Sequence, residues 1–334
     1  MNILITGGAG YIGSHVVATL SNYHNITIVD NLSNSKISTI KRLKKITNKE
    51  FMFYQNDIRD SGLLIDILLS QKIDAVIHLA GLKSVSESLL EPLEYYQNNV
   101  GGALSLLQAM SKANVNKLVF SSSATVYGYP ISLPVSETHK TNPLTPYGQS
   151  KLIVEIILND LANSNPEWGV VSLRYFNPAG AHESLLIGES PLSMPTNLIP
   201  LITDTLAGAK PYITIYGDDY DTPDGSGLRD FIHVMDLAEG HLSALNYLTI
   251  HNGSNIFNLG TGKPVTVFEI LRKFEEISNL KIPYQVSPRR DGDIPISYAC
   301  IKKAEQQLKW VAKKNIADIC DSSLKWRTSS SYFD

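Results

Sequence analysis

The chain has little of what would place it in several common classes. Its 334 residues include two cysteines, Cys300 and Cys320. Two thiols cannot form a disulfide framework, and their spacing suits no metal site. They fit a reducing compartment, so the expected location is cytoplasmic. There is no excess of either charge: 29 Lys and Arg stand against 32 Asp and Glu. Without a basic run or stripe, neither nucleic acid nor an anionic membrane is expected as a partner. No apolar run approaches the length of a membrane span. The opening "MNILITGG" has no basic flank and is too short for a signal-peptide core. No repeat or low-complexity tract is visible. With 43% hydrophobic and 18% charged residues, this reads as an ordinary globular protein of one large domain or two.

The first half alternates short β-rich runs with helical spacing. Strands are expected at 2–6, 26–30, 51–55, 75–80, 117–122 and 170–176, with helices at 11–22, 61–70, 91–113 and 146–163. Near-continuous apolar strands between helices argue for an α/β fold, a doubly wound parallel sheet covered on both faces. After residue 177 the character changes. The stretches 178–195 and 217–230 are rich in Gly, Pro and acidic residues and read as long loops of the kind that cover substrates. Strands at 212–216, 255–259 and 282–286 alternate with helices near 234–248, 266–278 and 301–309. The expected division is a dinucleotide-binding lobe at 1–177, to which segments around 230–260 return, and a smaller α/β lobe at 178–334.

"TGGAGYIGSH" follows the first strand directly. Gly8, Gly10 and Gly13 fit the dinucleotide pattern, and Gly7, Gly10 and Gly13 fit its short-chain variant. Such glycines let a backbone turn approach a pyrophosphate seated at a helix N-terminus. Asp30 closes the second strand, where a carboxylate accepts ribose hydroxyls and repels a 2′-phosphate, so NAD is expected rather than NADP. Asp57 and the loop "LAGLKS" fall at the same carboxyl edge.

"TPYGQSK" puts Tyr147 four residues before Lys151, on one face if helical. The spacing alone is weak, because with 16 tyrosines such pairs arise by chance, and Tyr298 and Lys302 form a second. Context separates them. Tyr147 follows a strand ending in Ser121, Ser122 and Ser123; Tyr298 has no such neighbour. A phenol titrates near 10, and moving it to about 7 requires roughly 4 kcal/mol of preference for the phenolate. Lys151 and a nicotinamide cation would supply this as nearby opposite charges. Tyr147 could then take a hydroxyl proton while hydride leaves the same carbon, with Ser123 hydrogen-bonding. His78 and His233 read as structural histidines.

"TGGAGYIGSH", "SSSATVYG", "PYGQSK", "RYFNPAGAH", "GLRDFIHVMDLA" and "PRRDGDIP" together resemble the UDP-glucose 4-epimerases of the extended short-chain dehydrogenase/reductase family, from the first strand to about residue 326. The resemblance implies a Rossmann-type lobe that holds NAD permanently, a smaller UDP-sugar lobe and a homodimer. It implies reversible C4 epimerisation through a transient 4-keto sugar. Matching cofactor positions, besides those named, are Tyr11, Ile12, Asn31, Asn34, Ser35, Ile58, Leu79, Ala80, Gly81, Lys83, Asn98 and Phe176. Matching substrate positions are Lys83, Tyr175, Asn177, Asn197, Leu198, Arg229, Arg290, Asp293 and Ser297. Phe231 departs from the commoner tyrosine. Ser297 replaces a tyrosine found in some narrow-specificity members, which implies room for an N-acetyl group. Two alternatives stand beside this reading. A nucleotide-sugar 4,6-dehydratase would need an Asp-Glu pair where this chain has Ala124 and Thr125. A non-enzymatic NAD-binding scaffold would be expected to have lost Ser123, Tyr147 or Lys151.

Overall fold

A computed structural model describes residues 1–191, 195–290 and 292–333. Seven strands form the main sheet: β1 (Asn2–Thr6), β2 (Asn25–Asp30), β3 (Met52–Gln55), β4 (Ala75–His78), β5 (Lys117–Ser123), β6 (Gly169–Tyr175) and β7 (Gly253–Leu259). Their order is β7-β6-β5-β4-β1-β2-β3, and every neighbouring pair is parallel. The expected α/β fold with a Rossmann-type sheet is thus what forms. Strand order reverses at β1, between β4 and β2, and such switch points open a crevice at the carboxyl edge.

Strand periodicity divides the core. Ile3 and Ile5 face one layer, with helices Tyr11–Leu20 and Val234–Tyr247 behind them. Leu4 faces the other, against Leu64, Leu106 and Leu158 from helices Ser61–Ser70, Gly102–Lys112 and Pro146–Ser164. Both faces are buried, which is why these strands read as continuous apolar runs.

The expected helix at 91–113 is three pieces. A short α-helix at Pro92–Tyr95 passes through a π-helical turn at Tyr96–Gly101 before Gly102–Lys112 begins. Periodicity cannot show such a widening, since apolar spacing continues through it. Helix Pro146–Ser164 starts where sequence rules place it: Pro146 occupies the first turn and Thr145 Oγ1 accepts the Gly148 N–H at 3.3 Å.

A separate apolar cluster lies among later segments. Ile199 and Ile202 pack with Ile213, Ile215, Ile270, Phe274 and Ile319, on helices Leu198–Leu206, Val267–Ser278 and Ile316–Thr328 and strand Ile213–Tyr216. Tyr284–Ser287 pairs with Ile213–Tyr216, and Ile296–Ser297 pairs with Leu228–Arg229.

Candidate active site

The turn after β1 is built by close approach. Gly7 has φ +73°, and an added methyl would come within 2.7 Å of the Ala80 nitrogen. At Gly13 a methyl would stand 2.0 Å from the Gly7 carbonyl oxygen. Helix Tyr11–Leu20 therefore begins hard against the turn, and no side chain caps its N-terminus. Its first N–H groups, at Tyr11 and Ile12, are of the kind that receive anions.

Asp30 is buried and already engaged. Oδ2 accepts from the Ala9 N–H at 3.0 Å, and Oδ1 accepts from the Leu32 N–H and Ser35 Oγ at 2.9 Å each. It ties the glycine turn to the loop after β2, with one of roughly four lone-pair sites left. Asp57 is gripped by both Arg59 Nε and a terminal nitrogen at 2.9 Å and by Asn31 at 3.1 Å. The Arg59 hydrogen bonds hold its carboxyl down at about 2. Asn34 is exposed, and Ile58 is buried behind the same edge.

Across the switch point, Leu79, Ala80 and Gly81 leave β4 beside the catalytic candidates. A methyl on Gly81 would lie 3.8 Å from Lys151 Nζ. Lys151 is buried and donates to the Ser121 carbonyl at 2.8 Å, with its Nζ 5.9 Å from the centre of the Tyr147 ring. Burial lowers its pKa to about 8, partly offset by Glu155. Burial also raises the Tyr147 phenol, against which its hydrogen bond with Ser123 works. The expected lowering by Lys151 and a nicotinamide cation is therefore not met by the protein alone, where burial outweighs the Ser123 hydrogen bond and the phenol is raised.

Ser123 shows a feature that motif reading missed. Its Oγ accepts from the Thr125 hydroxyl at 2.9 Å and the Thr125 N–H at 3.2 Å. With both acceptor positions taken, its own O–H is the group left to donate. Thr125 is no acid or base, but its two hydrogen bonds orient the Ser123 hydroxyl. Asn99 is a second omission: it accepts from the Leu82 N–H at 2.8 Å and donates to Ser150 at 3.0 Å, joining the β4 loop to the helix that carries Tyr147 and Lys151. Asn98, beside it in the π turn, is half-buried. His78 and His233 are structural. His78 Nδ1 shares a 2.8 Å bond with Thr6, and burial lowers the two imidazoles to about 3 and about 4.

The substrate candidates fall into two groups. Arg229 and Arg290 both reach Asp293, at 3.0 and 3.4 Å. Arg229 also donates to the Leu228 and Pro295 carbonyls at 3.1 Å. Ser297 pairs in register with Arg229, half-buried. In the second group, Glu189 accepts from Lys83 at 3.3 Å and Asn197 at 3.2 Å. Nothing in the sequence pointed to Glu189. Asn197 stands at the N-terminus of helix Leu198–Leu206. Asn177 is exposed on the short strand Asn177–Ala179. Tyr175 is buried, with its hydroxyl 2.5 Å from His241 Nε2, and Phe176 packs among Val126, Tyr127, Val135 and Ala299. Part of the expected covering loop, 192–194, lies outside the described residues, as does Asp291 of the segment before Ser297. Among the described residues, no cluster of His, Cys, Asp and Glu could hold a metal ion, and no helix is long and apolar enough to cross a membrane.

Known proteins resemble this chain along nearly its whole length. The NAD dependent epimerase/dehydratase family matches residues 3–260. UDP-glucose 4-epimerase of Neisseria meningitidis serogroup C is 50% identical over 326 residues, 97% of this chain and 96% of that protein. A crystal structure of UDP-glucose-4-epimerase from Stenotrophomonas maltophila, with bound NAD and formylated UDP-arabinopyranose, superposes with a TM-score of 0.96. It is 46% identical and covers 98% of each chain. The UDP-Glc/GlcNAc 4-epimerase of Campylobacter jejuni superposes at 0.86 with 37% identity, again over 98% of each chain. With its sheet, its glycine turn and matches of this extent, the chain belongs to the NAD dependent epimerase/dehydratase family, among the UDP-glucose 4-epimerases.

Proposed function

We propose that the protein interconverts UDP-glucose and UDP-galactose by reversible epimerisation at C4, and that Tyr147, Lys151 and Ser123 carry the chemistry. The observation that carries this assignment is their convergence at the carboxyl edge beside the glycine turn, in a chain half identical to a UDP-glucose 4-epimerase. The cofactor is NAD, which accepts hydride from C4 and returns it unconsumed. The turn at Gly7, Gly10 and Gly13 fits a pyrophosphate, since methyls at Gly7 and Gly13 would strike the backbone of Ala80 and of Gly7 and force the turn away from the start of helix Tyr11–Leu20. Asp30 keeps a free lone pair for a ribose hydroxyl and repels a 2′-phosphate. Asn31, Asn34, Ser35, Asp57, Ile58, Lys83, Asn98 and Phe176 complete the proposed contacts.

Tyr147 Oη takes the proton of the C4 hydroxyl as hydride leaves that carbon. Ser123, aimed by Thr125, donates to the reacting oxygen. Lys151 favours the phenolate by its charge, and with its pKa near 8 it is mostly protonated at neutral pH. The resulting 4-keto sugar stays tethered through UDP, turns its other face, and receives hydride and proton back. Arg229, Arg290 and the N-terminus of helix Leu198–Leu206 suit the diphosphate, and Asp293 suits the ribose hydroxyls. Lys83, Asn177 and Tyr175 are assigned to the sugar side. The corresponding division is a cofactor lobe of 1–177 with the returning segments and a UDP-sugar lobe from 178 onward. Incubation with UDP-galactose and no added NAD should yield UDP-glucose, and denaturation should release NAD. Product formation that depends on added NADP would refute the cofactor reading.

Serine at 297 further supports turnover of UDP-GlcNAc and UDP-GalNAc, since a tyrosine ring there would occupy the space an N-acetyl group sweeps. Ser297→Tyr should keep the glucose pair and lose the N-acetylated one. Wild type inert toward saturating UDP-GlcNAc would overturn this.

The protein is proposed to be a cytoplasmic homodimer. Leu89, Leu90 and Leu93 are 60–81% exposed, and Ile156 on the catalytic helix is 52% exposed. Together they offer an apolar helical face suited to a second copy.

A further inference from the structure

The catalytic helix Pro146–Ser164 meets the sheet mainly through Val154, Leu158 and Ala162. Contacts of that kind are non-directional, so they bury the helix without fixing its rotation or its position along its axis. Tyr147 and Lys151 nevertheless need placement to a fraction of an ångström.

One buried carboxylate interrupts this apolar face. Glu155 Oε1 accepts from Arg174 Nε at 2.9 Å and from Ser122 Oγ at 2.5 Å; Oε2 accepts from an Arg174 terminal nitrogen at 2.5 Å. The two charged side chains are only 3% and 4% exposed. Ser122 and Arg174 are partners in one rung of the β5–β6 ladder, so the carboxylate clamps both strands at a single level. The adjoining rungs carry Ser121 and Ser123, and Tyr175 pairs with Ser123. Lys151 lies one turn before Glu155 and bonds the carbonyl of Ser121, the residue before Ser122. The helix is thus pinned at two points one turn apart to two consecutive residues of β5. Arg174 is braced in turn: its guanidinium lies 4.7 Å from the Tyr127 ring centre, and the Tyr127 hydroxyl donates to Asn258 on β7 at 2.6 Å.

We propose that Glu155 and Arg174 are a positioning pair that sets the register of the catalytic helix, holding Lys151 on Ser121 and Tyr147 opposite Ser123. The inference rests on reading Tyr147 and Lys151 as the reacting pair. A buried ion pair is a poor source of stability, because desolvation offsets its attraction, but its fork geometry is directional where apolar packing is not. Glu155 also lends charge that favours the Lys151 ammonium.

The test separates register from stability. Glu155→Met combined with Arg174→Met removes both charges and keeps apolar volume, a replacement that often leaves stability equal or higher. The variant should unfold near the wild-type temperature and retain its nucleotide. Its kcat for UDP-galactose should fall about 10- to 100-fold, as for a displaced catalytic group, with KM nearly unchanged. The alkaline limb of its kcat profile should shift from the wild-type position, because Lys151 loses both the favourable charge of Glu155 and the opposing charge of Arg174 and is no longer held in place. Ser122→Ala, which removes one bond to Glu155, provides a milder variant and should lower kcat about threefold to tenfold. Wild-type kcat and pH profile in the folded double variant overturn the proposal; if the double variant does not fold, wild-type kcat in Ser122→Ala does so. Tyr147→Phe run in parallel distinguishes the two failures: full turnover there refutes the choice of base, whereas a dead Tyr147→Phe beside normal pair variants refutes only the positioning role.

Discussion

Gly13→Ala is a one-methyl change whose effect follows from the backbone around the glycine turn. The new Cβ would sit 2.0 Å from the Gly7 oxygen and 2.8 Å from the Gly8 Cα. Relief to 3.0 Å, the closest separation such atoms tolerate, requires a shift of at least 3.0 − 2.0 = 1.0 Å between turn and helix. The Gly7 peptide is held in place: its N–H donates to the Val29 carbonyl at 2.8 Å, and its oxygen accepts the Gly10 N–H at 3.2 Å. Helix Tyr11–Leu20 must move instead, yet eight of its ten residues are buried. Overpacking of this kind costs about 1–3 kcal/mol. A displacement of about 1 Å also spoils the pyrophosphate seat, where losses of about 100-fold are expected for misplaced groups. Gly62→Ala is the control, since its Cβ meets nothing closer than 3.5 Å and its helix should gain about 0.5–1 kcal/mol. The assay is thermal unfolding together with the nucleotide released from purified protein. A Gly13→Ala protein that unfolds with wild type and carries a full complement of NAD would refute the steric reasoning.

Tyr147→Phe should lower kcat by about 10²–10⁴ while the fold and bound nucleotide survive, and Tyr298→Phe should turn over normally; steady-state rates on UDP-galactose decide both. Leu93→Asp should convert a dimer to a monomer in light scattering at micromolar concentration, and a wild-type monomer there would remove the proposed interface. Asp57 has a folded pKa of about 2, below its ordinary 3.8, so its contribution to stability is present above the ordinary value and is lost as pH falls toward 2. The gap in unfolding midpoint between wild type and Asp57→Asn should therefore shrink from about pH 5 to about pH 3, and a constant gap would show that the Arg59 contact is not the cause.

The parallel sheet was legible because both of its faces are buried, so β1, β4, β5 and β6 carry short apolar runs with little alternation. The glycine turn and the Tyr147–Lys151 pair were legible because their chemistry fixes short local spacings. Contacts made across the chain were not. Thr125 aiming Ser123 depends on a one-turn 3₁₀ segment, Ala124–Tyr127, after β5. Glu189 reaches Lys83 across 106 residues of sequence. Glu155 was hidden inside a run of Leu, Ile and Val that signalled only burial. The segment at 255–259, read among the later short strands but within the stretch around 230–260 expected to return to the first lobe, forms an edge of the main sheet, where Gly169–Tyr175 offers it seven paired positions.

In the proposed site, the two arginines joined by Asp293 would bear on how a nucleotide sugar is held. Bringing two guanidinium groups together costs repulsion, and here one carboxylate has already met that cost before any phosphate arrives. Arg229 is further fixed by two backbone carbonyls, so little side-chain freedom remains to be lost when a diphosphate docks. Among the described residues proposed for the sugar end the hold is looser: Lys83 meets a single carboxylate oxygen of Glu189 at 3.3 Å, Asn177 is exposed, and the Tyr175 hydroxyl is engaged with His241. Rigidity is therefore distributed unevenly along the ligand, as in a compass with one leg fixed. A ketone swinging about such a fixed point can present either face to the same hydride while its distance from the anchor stays constant, so one set of catalytic groups serves both stereoisomers.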